Sequence, residues 1–156
     1  MKQNTHVACR TMSLGSLGEL LAIRTLVFNK FVNIKFLNDL RFNHPFADIY
    51  AEEGSQKYVI SVKARNRYQR DKKLNARYNL GSGCAVNAQR VASEYDAVPA
   101  WMAISITDQT YSVYFGRLDS LRLPTGIPMG ASHVTKYRCL ADDQYHHLNW
   151  APYRNE

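Results

Sequence analysis

The sequence predicts a single α/β domain built around a mixed sheet. Apolar residues at three- and four-residue spacing come first, then three segments with two-residue alternation. A second helical stretch and two more alternating segments follow, an order that interleaves helices with strands. The chain has 156 residues, enough for one core and too few for two. It is 46% hydrophobic and 12% aromatic, a globular rather than a disordered composition.

Residues 1–12 read as a polar lead-in. From Ser16 onward Leu17, Leu20, Leu21, Ile23, Val27 and Phe28 give a helix one apolar face. Positions 31–37 read as a strand, with Phe31, Asn33 and Lys35 alternating against Val32, Ile34 and Phe36. A turn-rich stretch, 38–45, leads to a second strand at 46–51 and a third at 57–64. Positions 65–83 are polar and strongly basic, and 85–95 regain helical spacing through Val86, Gln89, Val91 and Ala92. Strands at 100–106 and 111–115 are joined by Asp108-Gln109 in a tight turn. Pro124, Gly126, Pro128 and Gly130 mark 121–156 as a mostly irregular tail, so the core of the single 1–156 domain spans about 13–120.

Charge and cysteine usage bound the setting. Twenty Lys and Arg against thirteen Asp and Glu leave a net charge of +7, which favours a polyanionic partner such as nucleic acid. Cys9, Cys84 and Cys139 are widely spaced and form no C-x-x-C, the usage of free thiols in a reducing cytoplasm. The first residues carry no apolar run with a cleavage site, and no apolar stretch approaches bilayer length. A soluble, cytoplasmic protein with no membrane partner is expected.

The second and third strands carry the chemistry. With Gly54-Ser55 as a two-residue hairpin loop, Glu53 pairs with Gln56, Asp48 falls opposite Ser61, and Phe46 opposite Lys63. One face then holds Ala47, Ile49, Ala51, Tyr58, Ile60, Val62 and Ala64, and forms the core. The other holds Asp48, Tyr50, Glu52, Lys57, Val59, Ser61, Lys63 and Arg65, on the side the core does not claim. A carboxylate, a hydroxyl and an ammonium so gathered suit phosphodiester hydrolysis: the acid holds a hard cation, and the lysine stabilises charge on the reacting phosphate. The plainer alternative is a solvated face with two cross-strand ion pairs, Glu52 with Lys57 and Asp48 with Lys63.

These residues resemble the PD-(D/E)XK nuclease superfamily, the restriction-endonuclease-like fold, with a layout nearest its Holliday-junction resolvases. The likeness covers the first two thirds of the chain: Gly18-Glu19-Leu20-Leu21, then Pro45-Phe46-Ala47-Asp48, then Val59-Ile60-Ser61-Val62-Lys63-Ala64-Arg65. It implies an αβββαβ core with a central mixed sheet, and a Mg²⁺- or Mn²⁺-dependent endonuclease acting on DNA. It further implies Asp48 and Glu19 as metal ligands, Lys63 as catalytic lysine, and Ser61 where the tripeptide normally has an acid. Glu52 lies about 13 Å along the strand from Asp48 at ~3.3 Å per residue, too far to replace that acid. Glu19 has a second reading, as partner of Ser16 in a helix capping box. Nucleases that cut both strands are often dimers, so a homodimer is open.

The basic run supplies Arg65, Arg67, Arg70, Lys72, Lys73 and Arg77 as contacts to a nucleic-acid backbone, against one acid, Asp71. Tyr68 and Tyr78 would stack on unpaired bases or pack as rings. A solvated basic loop is the plainer reading. Ser82 reads as the N-cap of the following helix, and Gln89 and Arg90 stand early within it. His133, Cys139, His146 and His147 match no closed zinc spacing. Three readings therefore go forward: a metal-dependent endonuclease, a catalytically inactive nucleic-acid-binding module of the same fold, and a small α/β protein of unrelated role in which the hairpin match is chance.

Overall fold

The fold comes from a computed structural model that describes residues 2–40 and 45–143, with backbone alone for 2–13 and Leu40. In chain order the helices are α1 (Lys2–Phe28), α2 (Leu37–Leu40), α3 (Cys84–Tyr95) and α4 (Ala131–Val134). The strands are β1 (Val32–Phe36), β2 (Ile49–Glu53), β3 (Gln56–Asn66), β4 (Arg77–Asn79), β5 (Val98–Ile106), β6 (Tyr111–Arg117), β7 (Gly126–Pro128) and β8 (Arg138–Ala141).

The hairpin turn fixes the register as its sequence demands. Gly54 takes a φ of 59°, the left-handed region that costs glycine little. Glu53 pairs with Gln56, Glu52 with Lys57, Ala51 with Tyr58, Tyr50 with Val59, and Ile49 with Ile60. Four further strands extend this hairpin into a sheet of order β1-β2-β3-β5-β6-β8. Only β3 and β5 are parallel, and α3 lies in the crossover between them. The other neighbours are antiparallel, and β4 and β7 form a separate two-stranded ribbon. Thr107 and Thr110 close the β5–β6 turn around Asp108-Gln109, the position the sequence assigns.

Both faces of the sheet are covered. Leu21, Ala22 and Leu26 of α1 pack with Ile49, Ala51, Ile60, Ala64, Met102 and Ile104 in one cluster. The residues that alternate with these face the other way. Tyr50 and Val59 pack with Val91 and Ala92 of α3, and Trp101 and Ala103 pack with Tyr78 and Ile127 of the ribbon. The second hairpin face is therefore not left open, as the sequence reading had it. Its apolar members are sealed by α3, which is why a parallel β3–β5 pair reads as a near-continuous apolar run.

Four other expectations are corrected. The first helix begins at Lys2, not Ser16, because no proline or glycine interrupts 2–14. Ser16 and Glu19 are therefore interior residues of α1, and no capping box exists there. Ala47 is buried against Leu37, Tyr50 and Val91 instead of joining the α1 cluster, since Phe46 at φ 65° turns the chain out of alternation. Gly83, not Ser82, occupies the N-cap of α3, and no side chain caps it. The segment 121–143 is not irregular: β7 completes the ribbon and β8 forms an edge of the main sheet, where Val113 pairs with Ala141. His146 and His147 lie outside the described residues.

Candidate metal and nucleic-acid site

Asp48 stands immediately before β2 and ties three segments together. Its N–H donates to the Ile60 carbonyl at 2.9 Å, and its own carbonyl accepts from Leu37 N–H at 2.9 Å. Its Oδ2 accepts from Val62 N–H at 2.8 Å. The strand ladder ends one residue earlier, at Ile49 and Ile60, and the carboxylate takes over the next free amide of β3. This sets the charge of Asp48 against the middle residue of Ser61-Val62-Lys63. The expected pairing of Phe46 with Lys63 does not form, for the same turn at Phe46.

Glu19 reaches this neighbourhood from the opposite layer. Gly18 makes that possible: a Cβ built there would lie 2.4 Å from Ala64 Cβ, so only a glycine lets α1 sit this close to β3. Half-buried Glu19 has its carboxyl pushed above the ordinary carboxylate range, first by burial and then by the charges of Asp48 and Asp39. Asp39, on the one-turn helix α2, is an acid the sequence reading did not single out. Its only signal was a position two residues beyond the first strand.

A raised acid pKa has a definite sign for stability. The folded chain binds the Glu19 proton more tightly than the unfolded chain, so the ionised form costs stability above the folded-state pKa. Glu19→Gln is expected to raise the thermal midpoint at neutral pH, with the gain shrinking as pH falls into the ordinary carboxylate range. Melting curves of both proteins across that range check it.

Ser61 and Lys63 share the α3 side of the sheet. Ser61 is only 2% exposed, and no buried side-chain nitrogen or oxygen among the described residues lacks a hydrogen-bond partner. Lys63 is half-buried, and its charge pulls down the Cys84 thiol at the start of α3, although burial, the larger effect, leaves that thiol raised. Among the described residues Lys63 forms no salt bridge, so the cross-strand pair with Asp48 is not what holds it. Glu52 stays opposite Lys57, but its carboxylate accepts from Asn33 Nδ2 and from Tyr50 OH at 2.9 Å. The Asn33 bond is the first cause of its lowered pKa. Among the described residues no three His, Cys, Asp or Glu side chains are gathered tightly enough to fix a metal ion unaided.

The basic run divides into structural and displayed members. Beyond β3 the chain folds into a small hairpin, with Asn75 N–H to Arg67 O at 2.8 Å, Gln69 N–H to Lys73 O at 2.8 Å, and Lys72 at φ 65°. Its tip displays Arg70, Lys72 and Lys73, with Tyr68 exposed beside them. Arg67 is engaged within the fold. Its guanidinium donates to Ser105 Oγ at 2.9 Å, Ser112 Oγ at 3.2 Å and Asp143 Oδ2 at 2.6 Å. Arg65 is half-buried and donates to Ala64 O at 2.7 Å, while exposed Arg77 donates to Thr125 Oγ1 at 3.1 Å. Tyr78 cannot stack on a base, because it is 1% exposed in the core beneath the ribbon. Gln89 and Arg90 are exposed on α3.

No protein-family model matches the chain, and neither the curated proteins nor the solved structures offer a match. No helix among the described residues is long and apolar enough to cross a membrane.

Proposed function

We propose that this chain is a metal-assisted endonuclease domain of the PD-(D/E)XK type acting on DNA. One observation carries the reading: Asp48 Oδ2 accepts from the central amide of Ser61-Val62-Lys63, while Glu19 feels the Asp48 charge from another layer. Two acids 29 positions apart in sequence thus feel one another's charge beside the lysine strand. The order α1, β1, β2, β3, α3, β5, with β5 parallel to β3, gives further support, since it follows the αβββαβ order that the resemblance implies.

The donor chemistry fits a hard divalent cation. Glu19 and Asp48 are oxygen donors; burial first, and then the charges of Asp48 and Asp39, raise the Glu19 pKa, and a Mg²⁺ or Mn²⁺ ion held by the two acids would offset the repulsive part. Mg²⁺ keeps several waters, so two carboxylates suffice without a closed protein cage. Such an ion polarises a phosphodiester and lowers the pKa of a bound water. Lys63 then faces the negative charge that develops on the phosphate, in a partly buried setting where that interaction is strengthened. Arg70, Lys72 and Lys73 at the hairpin tip hold the DNA backbone.

Burial of Ser61 favours the second reading, a binding module that has lost its second acid. One experiment separates them. Supercoiled, branched and single-stranded DNA are incubated with the chain and Mg²⁺ or Mn²⁺, and cutting that disappears in Asp48→Ala and Lys63→Ala supports the nuclease. Salt-sensitive binding with no cutting of any of these substrates selects the binding module.

A further inference from the structure

A cleft of about 410 Å³ lies beside the β4–β7 ribbon, with Arg77, Arg122, His133, Lys136, Leu123 and Tyr137 among its lining residues. Its size falls within the range of ligand sites, about 300–1,000 Å³. No carboxylate lines it. Arg67, Arg117 and Arg138 are each neutralised, by Asp143, Asp119 and Glu53. Arg77, Arg122 and Lys136 form no salt bridge among the described residues, yet they border one cavity. Like charges gathered without a counter-ion repel one another, and a bound anion would turn that repulsion into attraction.

Arg77 is also held in place. A Cβ at Gly126 would lie 2.5 Å from Arg77 Nε and 2.7 Å from Cζ, so the guanidinium rests against bare glycine backbone. Its Nη2 donates to Thr125 Oγ1 at 3.1 Å, which fixes the fork at the cleft wall. Leu123, 59% exposed, adds an apolar surface to the same cavity, together with Leu121 and Pro128. Cations beside exposed apolar groups match a phosphate joined to a sugar and base better than they match a bare inorganic ion.

The ribbon places this cleft on a particular side. Tyr78 and Ile127 pack on Trp101 and Ala103, which pair with Ser61 and Lys63 across the β3–β5 ladder. The ribbon therefore covers the same sheet face that carries Lys63.

We propose that the cleft binds the phosphate and sugar of one nucleotide in an unpaired nucleic-acid strand. The proposal rests on the nucleic-acid reading above and names the form of substrate that reading leaves open. Arg122 and Lys136 supply charge, Arg77 a positioned fork, and Leu123 an apolar shelf for the nucleoside. None of Arg122, His133 and Lys136 belongs to the basic run at 63–77.

The test is fluorescence anisotropy of a labelled oligothymidylate, titrated with the full chain in EDTA over a series of salt concentrations. The double variant Arg122→Ala/Lys136→Ala is expected to bind at least about tenfold more weakly at low salt. Its log–log salt slope is expected to fall by about 1.4, at ~0.7 per lost single-strand phosphate contact. Arg122→Glu, a charge reversal at an exposed site, is expected to weaken binding further with an unchanged melting midpoint. Unchanged affinity and slope in both variants overturn the proposal. Failure of wild-type protein to bind the oligonucleotide at low salt overturns it too. A cleft that binds in a chain that cuts nothing leaves this inference standing and removes only the nuclease reading. Cutting that survives beside unchanged binding in the variants does the reverse.

Discussion

Replacing Lys63 with alanine is expected to slow DNA cleavage by about 10²- to 10³-fold, the usual cost of removing one positioned donor to developing charge. The fold should survive, because Lys63 forms no salt bridge among the described residues and its strand is paired to β5 from Tyr58 to Asn66. Asp48 must be probed with more care. Asp48→Ala removes the acceptor for Val62 N–H, and an amide left unpaired there costs about 1–3 kcal/mol. Lost activity in that variant alone would mix chemistry with unfolding. Asp48→Asn keeps an oxygen for Val62 N–H and removes the charge. Cleavage should then fall as steeply as with Lys63→Ala, with the Val62 N–H still satisfied. Rates on supercoiled plasmid, read beside urea unfolding midpoints, separate the two contributions.

The second large effect concerns packing. An interior helix glycine normally gives way to alanine with a gain of about 1 kcal/mol. At Gly18 that gain should reverse, since the new Cβ would lie 2.4 Å from Ala64 Cβ and force α1 away from the sheet. Gly18→Ala is expected to lose about 1–3 kcal/mol of stability by overpacking, and Gly18→Val more. Ala64→Gly removes the atom that is struck, so in the Gly18→Ala background it should recover part of the loss. Urea unfolding of the single and double variants measures that coupling. Because Glu19 is the next residue, a displaced α1 should also weaken cleavage, and Ala64→Gly should restore both properties together.

Much of this arrangement was legible in the sequence where a local rule fixes geometry. Gly54-Ser55 sets the hairpin register, and alternation from Ile49 to Ala51 and from Tyr58 to Ile60 identifies the core side. Alternation could not show that the other side is also buried, because Tyr50 and Val59 are covered by α3, a partner distant in sequence, and Ser61 is buried on the same face. It also failed at Ala47, where one left-handed residue, Phe46, flips the pattern. The strand β8 was missed because Arg138-Cys139-Leu140-Ala141 is short, does not alternate and pairs across a register shift.

The candidate site divides along the same line. Asp48 and Lys63 could be named from the hairpin alone. Glu19 could be named from the family resemblance, but its coupling to Asp48 depends on the close approach at Gly18, which no local pattern encodes. Arg67 reads as one more cation in a basic run, and only the tertiary fold reveals its partners Ser105, Ser112 and Asp143. Charge runs in sequence do not distinguish a guanidinium held inward from one offered to a phosphate.

Electron paramagnetic resonance of free Mn²⁺ tests most directly whether Glu19 and Asp48 share a cation beside Lys63. Titrated into the wild-type chain, Mn²⁺ is expected to lose free-ion signal to a single site. Asp48→Asn and Glu19→Gln should each return that signal, while Lys63→Ala should leave it sequestered. A free-ion signal undiminished by wild-type protein, or diminished equally by the Asp48→Asn and Glu19→Gln variants, would contradict the account.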